Sequence, residues 1–258
     1  MSTPTALITG ASSGIGRAFA HLFARDGYAL VLVARREAVL EEVAADLKRT
    51  YQVPVRVMAA DLSDPNIAEQ LDRDLRGTGT VIDVLVNNAG VGMQGAFVDL
   101  PLDRQLRMIH LNVTTLTALT HLLLPSMIQR RTGGVLNVGS TAGLQPGPFM
   151  AVYYATKAFV ISFSEALCDE LSGSGVRVTC LAPGPTATGF AEGAGAADSR
   201  LFQGKQMDVE AVARIGYNAW RRGKPLVIAG WNNRLAALAV RLFPRAYIRS
   251  IVRRLNTR

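Results

Sequence analysis

Cysteine is scarce in this chain. Cys168 and Cys180 are the only two, they form no CxxC pair, and no histidines stand around them at metal-ligand spacing. That excludes a disulfide framework and a structural zinc site, and it fits a reducing compartment. His21, His110 and His121 are scattered along the chain, and each is expected in a structural or surface role. The opening "MSTPTALITG" has no basic patch ahead of an apolar stretch, so no secretory signal is expected. No apolar run reaches the roughly 18–20 residues that cross a bilayer. The expected location is therefore the cytoplasm. Repeats are absent, as is any Pro/Gly linker that would split the 258 residues, so one domain is expected. Hydrophobic residues at 49% against 19% charged exclude wholesale disorder and leave material for a large core.

Acidic residues are missing from one region only. From Arg221 to Arg258 there are ten Arg or Lys and no Asp or Glu. The first 220 residues hold the other 18 basic side chains and all 20 acidic ones, so the net charge of +8 belongs to the tail. A slightly acidic body without a DNA-reading motif argues against a nucleic-acid partner.

What is present is alternation. Apolar runs rich in Val, Ile and Leu occupy 5–9, 29–34, 53–59, 81–87, 134–140, 176–182 and 225–229. Near-continuous apolar runs suit strands buried on both faces of a parallel sheet. Helical patterns lie between them at 15–26, 37–50, 65–76, 102–130, 151–172 and 208–222. The expected fold is α/β: a Rossmann-type, doubly wound parallel sheet of about seven strands. The expected division is a catalytic domain over 1–230 and an amphipathic extension over 231–258. Residues 189–207, rich in Gly and Ala with weak periodicity, are expected to form a mobile loop or short lid helix.

The chemistry starts at "TGASSGIG", Thr9–Gly16, directly after the first strand. Gly10, Gly14 and Gly16 let the backbone of Ser12, Ser13 and Ile15 approach a pyrophosphate, and the following helix start favours an anion. A second stretch, "VYYATK", sets Tyr153 and Tyr154 just upstream of Lys157. Helical neighbours lie three and four residues apart, so spacing alone lets either tyrosine approach the lysine.

TGxxxGxG, the Asn87-Asn88-Ala89-Gly90 after the fourth strand, YxxxK, and the Pro183-Gly184 turn after the sixth strand resemble the short-chain dehydrogenase/reductase family over about residues 5–230. The resemblance implies a catalytic set of Asn112, Ser140, Tyr153 and Lys157. It selects Tyr153 over Tyr154, because the serine stands thirteen residues upstream. Tyr154 is then a packing or subunit-interface aromatic. In this set Ser140 would orient a carbonyl oxygen and Tyr153 would supply the proton. Lys157, with the positive nicotinamide ring of the oxidised cofactor, would lower the phenol's pKa. Lys157 would also hold the nicotinamide ribose, and Asn112 would hold a water linking Lys157 to solvent. Asn88, Ala89, Gly90, Pro183, Gly184 and Thr188 complete the implied cofactor contacts, together with Asp61 and Leu62 at the adenine. A homodimer or homotetramer is also implied.

Cofactor choice depends on the end of the second strand. Ala34 stands where an NAD-preferring site usually has an acid, and Arg35 and Arg36 follow. Guanidinium forks match a 2′-phosphate, so NADP(H) is expected ahead of NAD(H). The expected pocket residues, Met93, Gln94, Leu144, Gln145, Phe149, Met150 and Phe190, include no Lys or Arg to anchor a carboxylate. They imply a hydrophobic ketone or its secondary alcohol. A catalytically idle dinucleotide sensor is the rival reading, and retention of the whole catalytic set argues against it. In the tail, Arg241, Arg245, Arg249 and Arg253 recur beside Leu238, Leu242, Ile248, Ile251, Val252 and Leu255, and Pro244 should divide two helices. Such a segment fits a peripheral contact with an anionic membrane, an acidic partner such as an acyl carrier protein, or a cap on the pocket or a neighbouring subunit.

Overall fold

All seven apolar runs form strands in the computed structural model, which describes residues 3–257. They are β1 (Thr5–Thr9), β2 (Ala29–Ala34), β3 (Val55–Ala59), β4 (Val84–Asn87), β5 (Gly134–Val138), β6 (Arg177–Ala182) and β7 (Leu226–Ile228). Every pairing is parallel, in the order β3-β2-β1-β4-β5-β6-β7. Parallel neighbours need crossovers, and helices supply them: α1 (Gly14–Arg25), α2 (Glu37–Tyr51), α3 (Ile67–Gly77), α4 (Leu102–Ile109), α5 (Leu116–Arg130), α6 (Ala151–Glu170) and α9 (Val209–Arg221). Between β6 and α9 lie the one-turn helices α7 (Phe190–Gly193) and α8 (Arg200–Gln203), where a loop or short lid was expected.

Side-chain alternation divides the core into two layers. Ala6, Ile8, Leu30, Leu32, Val84 and Val86 face Phe19, Phe23, Leu40, Tyr217 and Trp220 of α1, α2 and α9. Leu7, Val31, Val33 and Leu85 face Leu71, Leu75, Leu119, Leu123 and Met127 of α3 and α5. Sheet strands buried on both sides explain why the runs had no polar alternation. Since β4 returns beside β1, the chain reverses direction across the sheet there, and a crevice opens at the carboxyl ends of those two strands.

Two segments depart from expectation. Residues 102–130 were read as one helix, but a π-helical turn at His110–Thr115 separates α4 from α5. By length and hydropathy this run is the one segment among the described residues that could cross a membrane, contrary to the sequence reading. Its buried Leu119, Leu123 and Met127 instead pack under the sheet. Strand β5 ends at Val138, so Ser140 lies beyond it, as the N-cap of a 3-10 turn at Thr141–Leu144. The tail forms α10 (Trp231–Leu242) and α11 (Arg245–Leu255), divided at Pro244 as expected.

Candidate active site

The glycine loop is built against the end of β4. Gly10 and Gly14 have φ of 65° and 55°, a region where a side chain is strained. A Cβ at Gly10 would lie 2.8 Å from Asn88 Nδ2, and one at Gly14 would lie 3.0 Å from Thr188 Cγ2. Thr9 fixes the join: its hydroxyl donates to Val86 O and accepts from the backbone N–H groups of Asn88 (2.9 Å) and Ala89 (3.0 Å). Asn88 Nδ2 donates to Thr9 O at 2.9 Å and to Gly10 O at 3.2 Å. Asn88, expected at the cofactor, thus spends its amide on bracing the loop.

Ser13 caps α1 with its backbone extended, without a side-chain hydrogen bond, and no acid occupies the first turn. The leading N–H groups of α1 therefore have no side-chain acceptor, and the helix dipole favours an anion there. Ile15 is half-buried against the core beneath. Arg35 and Arg36 are exposed, and Arg36 Nη2 reaches Ser12 Oγ at 3.4 Å, which places a guanidinium beside the glycine loop. Asp61 sits after β3, its carboxylate held below its ordinary pKa first by the Ser63 N–H at 3.0 Å, with Arg35 adding a weaker pull. Leu62 is buried, and its carbonyl accepts from Thr115 Oγ1 at 2.7 Å. The crevice thus offers a tight glycine turn, an open helix start and two cations, which suits a phosphorylated dinucleotide.

The expected catalytic residues meet at the ends of β4, β5 and β6. Lys157, buried on α6, donates to Val138 O at 2.8 Å, and its Nζ lies 5.9 Å from the centre of the Tyr153 ring. Ser140 Oγ accepts from Ala142 N and reaches Pro183 O at 3.4 Å, tying β5 to the Pro183-Gly184 turn. Thr188 Oγ1 accepts from Phe190 N at 3.3 Å just beyond that turn. A Cβ on Gly90 would lie 3.3 Å from both Lys157 Nζ and Asn112 Oδ1, so only glycine leaves that space open. Asn112 belongs to the π turn. Its Oδ1 accepts from Val91 N (3.0 Å), and its Nδ2 donates to Val91 O (2.9 Å) and Thr156 Oγ1 (3.1 Å). This side chain locks the loop after β4 to α6, which leaves little of its amide for the expected water.

Burial works against one expectation. Lys157 was expected to depress the Tyr153 phenol. With protein groups alone burial dominates and pushes the phenol up, while the Ser140 hydroxyl pulls the other way through a hydrogen bond. Lys157 is itself pulled down to about 8 by burial. Cys180, close enough to act on that charge, is pushed up to about 12 by burial.

Most of the residues expected to line a pocket lie near one another. Met93, Met150, Tyr153, Tyr154 and half-buried Phe190 form one cluster, with Phe190 and Tyr153 ring centres 5.1 Å apart. Phe149 borders it with φ of 64°, a left-handed conformation that an aromatic residue adopts only under constraint. Gln145 is half-buried after the 3-10 turn. Leu144 is the exception: that turn sets it against Val160, Ile161 and Cys180 instead.

The family model for short chain dehydrogenase matches residues 4–199. The chain belongs to that family. Very-long-chain 3-oxoacyl-CoA reductase of Homo sapiens is 35% identical over 191 residues, covering 72% of this chain and 61% of that protein. The chain thus spans about three fifths of the length of the first of its curated relatives. Sulfoacetaldehyde reductase of Chromohalobacter salexigens is 42% identical over 209 residues, 78% of this chain and 81% of that protein. Among solved structures, a short-chain dehydrogenase from Sphingobium yanoikuyae in complex with NADPH is 36% identical with a TM-score of 0.83, covering 96% of this chain and 95% of the other.

This short-chain dehydrogenase carries site features that the sequence reading missed. Thr9 opens the glycine motif, and its place as the last residue of β1 was the available signal. Thr156, one residue before Lys157, is buried and anchors Asn112. Asn256 gave no signal at all. It is buried at the end of α11; its side chain accepts from Tyr154 Oη at 3.1 Å and donates to Pro148 O at 2.9 Å, and its backbone carbonyl accepts from Gln94 Nε2. Ile248 and Val252 belong to the same cluster as Tyr153, so the tail covers that cluster. Tyr154 is accordingly a packing residue that holds this cover.

Proposed function

We propose that this oxidoreductase interconverts a hydrophobic ketone and its secondary alcohol with NADP(H), through Ser140, Tyr153, Lys157 and Asn112. The observation that carries the reading is the convergence of Ser140, Tyr153 and Lys157 beneath an apolar cluster, beside a crevice suited to a dinucleotide. When bound, NADPH supplies the hydride. The carbonyl oxygen then accepts a hydrogen bond from Ser140 Oγ, and the negative charge it gains is quenched by the proton of Tyr153 Oη. Burial keeps that phenol protonated, the form that reduction needs. Lys157, anchored on Val138 O, supplies positive charge for the reverse direction, where the phenol must give up its proton. The Sphingobium relative in complex with NADPH and the open, cationic crevice support the cofactor assignment. NAD(H) remains the weaker alternative, with no phosphate for the arginines to grip. A homodimer or homotetramer is the proposed assembly.

The two relatives whose names state a substrate act on very different molecules, so substrate choice is argued from this pocket. Met93, Met150, Phe149 and Phe190 favour a bulky apolar ketone. Arg253, whose guanidinium lies 5.6 Å from the Phe149 ring centre, favours a second reading, an anionic carbonyl held at the rim. The test is a panel of apolar ketones, their alcohols and sulfonated aldehydes with NADPH and NADH, followed by cofactor absorbance. Turnover of apolar ketones with NADPH is expected. Turnover confined to the sulfonated aldehydes, and lost in Arg253→Ala, would favour the second reading. Replacing Arg35 and Arg36 by Gln should raise the NADPH Kd at least about tenfold and leave the NADH Kd within about twofold. Equal losses for both cofactors would remove the phosphate-reading role.

A further inference from the structure

The helix α10 is turned inside out. Its sequence offers Trp231, Leu235, Leu238 and Leu242 at i, i+4, i+7 and i+11, one narrow stripe that a water-soluble domain ordinarily faces toward its core. Here the stripe faces outward, with Trp231 69% and Leu242 72% exposed, and α10 has no fully buried residue. What it presents inward is Asn233, Ala237, Ala239 and Val240, all partly buried. Phe243 and Tyr247, with ring centres 5.8 Å apart, and Ile251 and Leu255 of α11 are exposed as well. So many exposed large apolar side chains on two consecutive helices point to an interaction site.

Charge decides the partner. Arg234, Arg241, Arg245, Arg249, Arg253 and Arg254 accompany this surface, and no Asp or Glu occurs from residue 211 to the end. A second copy seated on it by two-fold symmetry would bring arginine rows together with nothing to neutralise them. An anionic lipid surface supplies the opposite charge and receives the apolar stripe in the headgroup and upper acyl region. Another exposed row, Leu102, Leu106 and Ile109 on α4, has both signs of charge beside it in Asp103, Arg104 and Arg107, as self-pairing needs. The two apolar faces therefore fit different partners.

We propose that the outer face of α10 and α11 seats this protein reversibly on anionic bilayers. The same helices roof the apolar cluster: Val240, Ile248 and Val252 pack with Met93, Met150 and Tyr153. Seating the tail brings the pocket to the interface where an apolar substrate concentrates. The surface itself does not depend on the reaction assigned above.

Truncating the tail would remove Ile248, Val252 and Asn256 from the interior, so the test uses surface substitutions in the full chain. Leu235→Glu, Leu238→Glu and Leu242→Glu are combined in one protein, and Arg234→Gln with Arg241→Gln in a second. Each is sedimented with phosphatidylglycerol/phosphatidylcholine vesicles and with phosphatidylcholine alone, while mass is read by light scattering. The unsubstituted protein should pellet with the anionic vesicles and weaken at least about tenfold at high salt. Both variants should lose pelleting at unchanged mass, thermal midpoint and turnover of a water-soluble ketone. Absence of pelleting by the unsubstituted protein, or pelleting retained by the Glu variant, would overturn the proposal. A lower mass of the Glu variant would also overturn it, assigning the face to a second copy. Vesicle binding without ketone turnover would instead sink the reaction and leave the surface standing.

Discussion

Tyr153 and Tyr154 are adjacent, both buried, and differ in what surrounds their hydroxyls. Tyr153 lies with Ser140 and Lys157, whereas Tyr154 donates to Asn256 Oδ1. In the proposed mechanism Tyr153→Phe removes the phenol that protonates the substrate oxygen, and should lower kcat at least about a thousandfold while leaving NADPH affinity within about threefold. Tyr154→Phe should keep kcat within a few-fold and lower the thermal midpoint through one lost hydrogen bond of about 1 kcal/mol. Stopped assays with cofactor titration separate the two, and a reversal would reassign the acid. Lys157 makes a second residue-scale prediction, through stability. Its folded pKa is about 8 against 10.5 when unperturbed. Between those values the unfolded chain holds a proton that the folded one has released, so folding gains stability as pH rises through the window. Below about 8 both states are charged and the burial penalty is fully present. Measured against Lys157→Met by urea unfolding, the protein that keeps Lys157 should gain up to about 3 kcal/mol between pH 7.5 and 10.5. Tyr153 titrates in the opposite sense in that range but is common to both proteins, and Cys180→Ala is placed in both because the Cys180 thiol interacts with the Lys157 charge. A difference that stays flat with pH would mean the ammonium is not desolvated.

At the scale of elements, α11 is the piece that closes over the cluster around Tyr153. Ile248 and Val252 each bury an apolar side chain, worth about 2 kcal/mol apiece, and Asn256 joins Tyr154, Pro148 and Gln94. Asn256→Ala should therefore lower stability by about 1–3 kcal/mol and raise KM for a bulky ketone several-fold, with kcat on a small ketone nearly unchanged. Asn256→Asp should restore part of the KM by keeping the acceptor for Tyr154. Equal KM shifts on small and bulky ketones would mean that the asparagine acts on stability alone. Nothing in the sequence announced this role. An amphipathic tail gives the period of its helices but not the direction in which each face turns, and here α11 sends one row inward while α10 sends its apolar row outward. The strands were legible because burial on both faces leaves an uninterrupted apolar run. The π turn at His110–Thr115 was not: the partners its Asn112 meets, Val91 and Thr156, are distant in sequence and leave no local periodicity to read. Leu144 was misplaced for a similar reason: a 3-10 turn rotates its side chain onto α6, and spacing alone cannot show that rotation. The glycine loop was legible because Gly10, Gly14 and Gly16 have no substitute where a Cβ meets Asn88, Thr188 and the loop backbone.

At the scale of the whole molecule, charge is unevenly distributed, and so are the exposed apolar surfaces. The basic, acid-free tail lies over the apolar cluster around Tyr153, while the mixed-charge α4 face lies on the segment that follows β4. Phe97, Val98, Leu102, Leu106 and Ile109 leave that second face open, with Val98 86% exposed. Leu102, Leu106 and Ile109 share one side of α4, and the Asp103–Arg107 pair at 3.8 Å lies on the same helix. Two-fold pairing of such a face can set an acid of one copy against a base of the other, which the tail cannot do. This is the face on which a homodimer or the first step of a homotetramer should form. Because α4 leads into the π turn that carries Asn112, pairing here would also stiffen the segment that holds the loop after β4 against Lys157 and α6. Leu102→Glu with Leu106→Glu places like charges at the centre of the contact and should shift the mass in light scattering to a smaller species at micromolar concentration. The thermal midpoint should then become independent of protein concentration, where the unsubstituted protein's rises with it. Turnover should fall only as far as the loosened π turn releases Asn112. A variant that keeps its mass and its concentration dependence would show that the copies meet elsewhere, with the stacked Phe159 and Phe163 of α6 as the next surface to substitute.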